Sequence, residues 1–197
     1  MKRRDIMSII GFIAAALAVW WLLFVAVPRW YSGDAEPGTA QVAPPATTAD
    51  AQRKITATLY YVGDDGMSLV PAQREVPFGE PIVEQARHIV EAQLAAPAPS
   101  LVSAIPNGTT LRALYLSERG DVFVDLSGDV NTNHTGGSMD EILTVYTIVN
   151  TLTVNLPAVT RVQILIDGKE VDTLAGHVDL RNPLSQNLTW IKTDNPS

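Results

Sequence analysis

The sequence has no cysteine, only three histidines, and few aromatic residues, 7% of the chain. Without cysteine there are no disulfides, no thiolate catalysis, no cysteine-ligated zinc and no lipid-bearing cysteine. His88, His134 and His177 stand far apart in the chain. None has the H-x-x-x-H or H-E-x-x-H spacing that puts two imidazoles on one metal, so no zinc site is expected. No G-x-S-x-G elbow is present either, which removes the usual frame for an activated serine. Basic residues are scarce after residue 30: residues 31–197 carry 10 Lys and Arg against 20 Asp and Glu. Phosphate binding needs concentrated positive charge, so nucleic acid is not an expected partner.

What the sequence does have is one long uncharged run, "IMSIIGFIAAALAVWWLLFVAV", at 6–27. Its 22 residues would span roughly 33 Å as a helix, close to a hydrocarbon core of about 30 Å. Lys2, Arg3 and Arg4 precede it and Arg29 alone follows closely. The positive-inside bias predicts a single-pass transmembrane helix, with residues 1–5 as a cytoplasmic tail and residues 30–197 outside the cytoplasm. A cleaved signal peptide fits less well. Its apolar core is shorter, and Phe24 would occupy a position that needs a small residue.

Residues 28–53 read as a flexible linker. The stretch "SGDAEPGTAQVAPPATTADAQR" at 32–53 is rich in Ala, Pro and Thr and has no apolar period. Residues 54–192 read as one domain. "ITATLYYV" (55–62) alternates as a strand should, and "MSLVPAQREVP" (67–77) is a second extended stretch whose Pro71 suits a sheet edge. Pro81 opens a helix at its first turn, with Ile82, Ala86, Ile89, Val90 and Leu94 on one face and His88 off it. Residues 111–127 read as a hairpin, with Leu111, Ala113 and Tyr115 on one face against Arg112 and Leu114. A polar loop follows at 129–137. Ser138 and Glu141 fit an S-x-x-E capping box for a helix that ends at Asn155 and Pro157, its face formed by Ile142, Val145, Tyr146, Val149, Leu152 and Leu156. "VTRVQILID" (159–167) is a core strand and "EVDTL" (170–174) a short one. The order β-β-α-β-β-α-β-β predicts an α+β domain: two helices packed on one face of a mostly antiparallel sheet.

Candidate chemistry is thin. His177 lies between Asp172 and Asp179, but nothing supplies a nucleophile, and Ser138 sits at a helix start where its hydroxyl serves backbone N–H groups. His177 is expected to hydrogen-bond its own turn or a neighbouring strand. Asp129, Asn131 and Asn133 have the spacing of a calcium loop, and Asp140 falls at the twelfth position. His134 stands where the sixth position needs Gly. Gly136-Gly137 before a helix could face an anion, although the capping box would use some of those donors. Asp125 and Asp167 are expected to hold turns. The expectation is therefore no catalytic residue, no metal site and no cofactor.

Taken together, "VDLS" (124–127), "GGSMDEILTVYTIVNTLT" (136–153) and "VTRVQILIDGKEVDTLAGHVDLRNPLS" (159–185) resemble the GerMN family of sporulation and spore germination. "LYYVGDDGMSLVPAQREVP", "EAQLAAP" and "SAIPNGTTLRALYL" resemble the same domain in the same order. The resemblance covers about 57–185, in a single copy. It implies a core like the ring-building motif, two helices against three strands, with an added β insertion. It also implies a bacterial cell envelope protein that acts by assembling with envelope proteins or with itself, not by catalysis. With the run at 6–27, this places the chain in the bacterial cytoplasmic membrane. One rival is a binding module for an envelope glycan or wall polymer, which would need aromatics such as Tyr60, Tyr61, Tyr115 or Trp190 in a groove. A hydrolase centred on His177 is the other.

Overall fold

The computed structural model describes residues 53–192 and, upstream of them, Trp21 alone. The chain divides into two compact units, 1–45 and 46–197. Every strand named below belongs to the second. The order is β1 (Lys54–Val62), β2 (Leu69–Pro77), α1 (Ile82–Leu94), β3 (Leu111–Leu116), β4 (Asp121–Leu126), α2 (Asp129–Thr132), α3 (Ser138–Asn155), β5 (Arg161–Ile166), β6 (Lys169–Glu170) and β7 (Leu184–Ser185). A 3-10 turn at Leu188–Trp190 follows.

The domain is α+β, but its strands form two sheets where one was expected, and three helices where two were expected. β1 and β2 pair antiparallel along their whole length, from Lys54 opposite Pro77 to Val62 opposite Leu69. They add no third strand, and the reason lies in what meets their edges. On the free side of β1 the side-chain amide of Asn155 accepts from Thr58 N (2.8 Å) and donates to Thr58 O (2.7 Å). Two residues on, Gln93 does the same to Tyr60 N and O, both at 2.9 Å. Val62 N then donates to Val102 O at 2.8 Å. Two amides and one bridge thus stand in for a neighbouring strand. Along β2, Pro71 and Pro77 carry no N–H, and Leu69 O is taken by Lys192 N.

The second sheet runs β3-β4-β5, with β6 and β7 both paired to β5. β3 and β4 form the expected hairpin, whereas β4 and β5 are parallel. Parallel neighbours cannot be joined by a tight turn, and α3 supplies the crossover between them. Leu114, Val122, Val124, Leu126, Val162 and Ile164 point to one face and are buried against Ala86, Ile89 and Val90 of α1 and Val145, Ile148 and Leu152 of α3. Each such side chain contributes about 1.5–3 kcal/mol relative to exposure.

Three local readings change. A β-bulge between Leu111 and Ala113 shifts the register of β3. Leu114 therefore turns into the core at 4% exposure and Tyr115 turns out at 59%, the reverse of simple alternation from Leu111. Residues 129–137 are not all loop, because Asp129–Thr132 form α2 around the buried Val130. α3 is buried on nearly all sides, since it lies between β1 on one flank and β5 on the other. Its polar residues are served there: Asn150 exchanges hydrogen bonds with the backbone of Asn187, and Thr144 donates to Ala104 O.

The expected membrane localisation is corrected. Among the described residues no helix is long and apolar enough to cross a membrane. The longest, α3, has 18 residues but includes Asp140, Glu141, Asn150 and several threonines. The run 6–27 and the linker 28–53 lie outside the described residues, Trp21 and Arg53 excepted. A single-pass placement therefore has no support in the described chain.

Candidate functional site

The most deeply buried carboxylate among the described residues is Glu141, and the capping box does not describe it. Ser138 is the first residue of α3 rather than its cap; Gly137 stands at the cap, with no side-chain cap bond. Glu141, one turn in, is fully buried. Its Oε1 accepts from Leu174 N at 2.9 Å and its Oε2 from His177 N at 2.8 Å. The His177 ring donates from Nδ1 to the same Oε2 at 3.0 Å. Burial by itself would raise the pKa of Glu141. The backbone N–H groups of Ala175, His177, Val178 and Leu174 outweigh it and hold the carboxyl below its ordinary range. A single carboxylate thus pins the loop 174–178 to the start of α3.

This answers the His177 question in physical terms. Its partner is neither its own turn nor a strand but a helix residue 36 positions earlier. Asp179 turns away to Arg181, which donates to it at 2.9 and 2.7 Å and lowers its pKa to about 2. Asp172 meets the loop through its backbone, accepting from Leu180 N. Glu141 is ionised and fully engaged, so it has neither a proton to give nor a lone pair facing solvent.

The other expected candidates are dispersed. His88 Nδ1 donates to Pro77 O at 3.1 Å. His134 Nδ1 accepts from Gly136 N at 3.0 Å, which leaves the ring proton on Nε2, 3.3 Å from Thr144 Oγ1. Asp129 accepts from Ser127, Asn131 donates to Leu174 O, Asn133 to Asn107 O, and Asp140 accepts from Thr135. The calcium-loop spacing is thus resolved into four separate structural contacts, and among the described residues no three His, Asp or Glu side chains converge as metal ligands would. Gly136 and Gly137 adopt φ of 83° and 89°, a turn that glycine allows, and the first turn they lead into already carries Asp140 and Glu141, which oppose an anion. Asp125 accepts from Gly168 N (2.7 Å) and Arg112 Nε (3.3 Å). Asp167 accepts from Arg112 Nη1 (2.7 Å) and Gly128 N (3.3 Å).

An open cleft of about 550 Å³ lies where Leu101, Val102 and Ala104 face Asn107, Asn133 and His134. The aromatic candidates do not line it. Tyr60 and Tyr61 are buried at 3% and 2%, and Trp190 packs near Tyr60, Leu69 and Leu143. Tyr115 alone of the four is exposed.

The chain belongs to the Germane family, sporulation and spore germination, which it matches over residues 58–172, more than half its length. Its domain is GerMN-like. The fold is shared with the tandem GerMN domains of the sporulation protein GerM from Bacillus subtilis, at TM-score 0.54 and 21% identity, over 68% of this chain and 46% of that one. The first GerMN domain of the same protein aligns at TM-score 0.49 and 20% identity, over 68% of this chain and 96% of that one. A protein from Clostridium perfringens, provisionally described as a lipoprotein, aligns at TM-score 0.48 and 22% identity, over 69% of this chain and 90% of that one. No curated protein matches the sequence.

Proposed function

We propose that this chain is a non-enzymatic protein-interaction and assembly module of the bacterial cell envelope, with residues 54–192 as the working domain and residues 28–53 as its linker. One observation carries the reading. The ionisable residues that chemistry would need are engaged in holding the fold, Glu141 above all, while Met67, Val102, Tyr115 and Leu188 stand 53–63% exposed. Family membership supports it. Crosslinking in intact cells, followed by identification of what is attached, tests it. A discrete envelope protein or a second copy of the chain is the expected adduct. Attachment to wall polymer alone would overturn it in favour of a glycan-binding module, for which the cleft beside Asn107 and Asn133 is the natural seat. A measurable activity lost in His177→Ala at unchanged melting temperature would restore the enzyme reading.

A further inference from the structure

The two walls of the 550 Å³ cleft differ in chemistry. One is aliphatic, made by Leu101, Val102 and Ala104. Val102 is 63% exposed there, although its backbone is fixed by the hydrogen bond that its C=O accepts from Val62 N. The facing wall offers acceptors. Asp140 Oδ2 is taken by Thr135 Oγ1 at 2.8 Å, and its Oδ1 has no hydrogen bond among the described residues. Asn133 gives its Nδ2 to Asn107 O at 3.0 Å, which leaves its own Oδ1 open. His134 adds no positive charge, because its Nδ1 accepts from Gly136 N and the ring is therefore neutral. The Asp129 carboxylate stands behind the same wall: a Cβ placed on Gly108 would lie 3.7 Å from its Oδ1 and 3.5 Å from Asn133 Nδ2. No lysine or arginine is among the residues that line the cleft. Asp140 and Glu141 also offset the positive end of α3 that opens beside it.

We infer, building on the reading of the domain as an interaction module, that this cleft docks a basic, aliphatic segment of a partner protein. Arg or Lys side chains of that segment donate to the open oxygens of Asp140 and Asn133, and its aliphatic side chains cover Leu101, Val102 and Ala104. Charge complementarity selects this occupant. The open oxygens accept and cannot donate, so they call for a donor, and a cationic donor gains most beside a carboxylate. An anionic wall polymer would bring its carboxylates or phosphates to a site lined by no cation. A neutral glycan would meet aliphatic groups where sugar rings stack best on aromatic ones. A second copy of this chain is a poor occupant as well. Residues 31–197 carry 10 Lys and Arg against 20 Asp and Glu. Lys54, Arg87, Arg112, Arg161 and Arg181 are each already paired with an acid of their own chain.

The test is the binding of a short, capped, fluorescent peptide of alternating Arg and Val to the full chain in non-ionic detergent, read by anisotropy. Saturable binding is expected. Asp140→Asn keeps an acceptor for Thr135 and should weaken it about fivefold, through the loss of charge assistance. Val102→Ser changes an exposed side chain, leaves the backbone bond to Val62 in place, and should weaken binding about threefold. Neither variant should lower the melting temperature by more than about 3 °C. Glu118→Gln removes the same unit of charge from the turn between β3 and β4, at the far end of β4 from the cleft, and should change affinity by less than about twofold. The peptide with Glu in place of Arg should not bind. Equal losses in Asp140→Asn and Glu118→Gln would overturn the inference, because that is the pattern of general attraction to an acidic surface. So would the absence of saturable binding, or affinity unchanged in both cleft variants. Soluble wall glycan that binds in place of the peptide, and loses affinity in Val102→Ser, would give the cleft to the polymer instead. Failure here together with discrete protein adducts at other surfaces in cells would remove this docking site and leave the interaction module standing.

Discussion

Replacing Glu141 with Gln is the sharpest perturbation this fold offers. The substitution keeps the volume and changes one oxygen of the carboxylate into an NH2. Leu174 N, His177 N and His177 Nδ1 all donate to that group at 2.8–3.0 Å. A primary amide has one oxygen, so at least one buried N–H is left facing another donor. An orphaned buried donor costs about 1–3 kcal/mol, and the bonds that survive lose their charge assistance. Together the loss should be about 3 kcal/mol, which lowers the melting temperature of a domain this size by about 10 °C. His177→Ala removes only the ring bond of a half-exposed side chain and keeps the N–H, so its cost should be about 1 kcal/mol or less. The pH dependence follows from the sign of the shift. The folded-state pKa of Glu141 lies below the ordinary 4.5. The stability it contributes is therefore fully present above about pH 4.5 and is lost as pH falls through the folded value. Thermal melts of the two variants and the parent from pH 8 to pH 3 provide the assay. The deficit of Glu141→Gln should be constant down to about pH 5 and shrink below it. A deficit no larger than that of His177→Ala, or one that grows on acidification, would refute the assignment of Glu141 as the anchor of the loop.

Gln93→Leu should be costly in the same way, by about 2–4 kcal/mol, because it strips partners from Tyr60 N and O and from Thr151 Oγ1 at once; chemical denaturation measures it, and hydrogen exchange at Tyr60 should rise. Thr147 Oγ1 is a buried hydroxyl without a hydrogen-bond partner among the described residues. Thr147→Val keeps its shape and removes that unsatisfied group, so it should be neutral or stabilising by about 1 kcal/mol in the same experiment.

Much of the fold is legible in the sequence where the signal is local. The alternation of "ITATLYYV" marks β1, and the helix Ser138–Asn155 ends where Asn155 and Pro157 suggest, although Gly137 and not Ser138 stands at its cap. What escapes is long-range. Gln93 and Asn155 look like ordinary polar helix residues, yet each pairs with a strand 33 or 97 positions away. Glu141 fits a capping box three residues after Ser138. Its partners lie 33 and 36 residues downstream, and no local pattern reports them. The face of β3 is inverted by a bulge, which adds one residue without a sequence mark. The second sheet escapes for a related reason: a hairpin joins a larger sheet unless something closes its edges, and here side-chain amides do so. Of the candidate site, His177 is visible as a residue worth weighing, but the group that gives it meaning sits on another element.

The central claim, that this domain works by contact with other proteins, is tested most directly by a photoreactive residue placed singly at Val102, Tyr115 or Leu188 in living cells. The account predicts adducts of discrete mass to protein from at least one of these positions, absent when the same residue replaces an exposed position such as Gln73. Adducts confined to wall polymer, or none from any of the three positions, would contradict it.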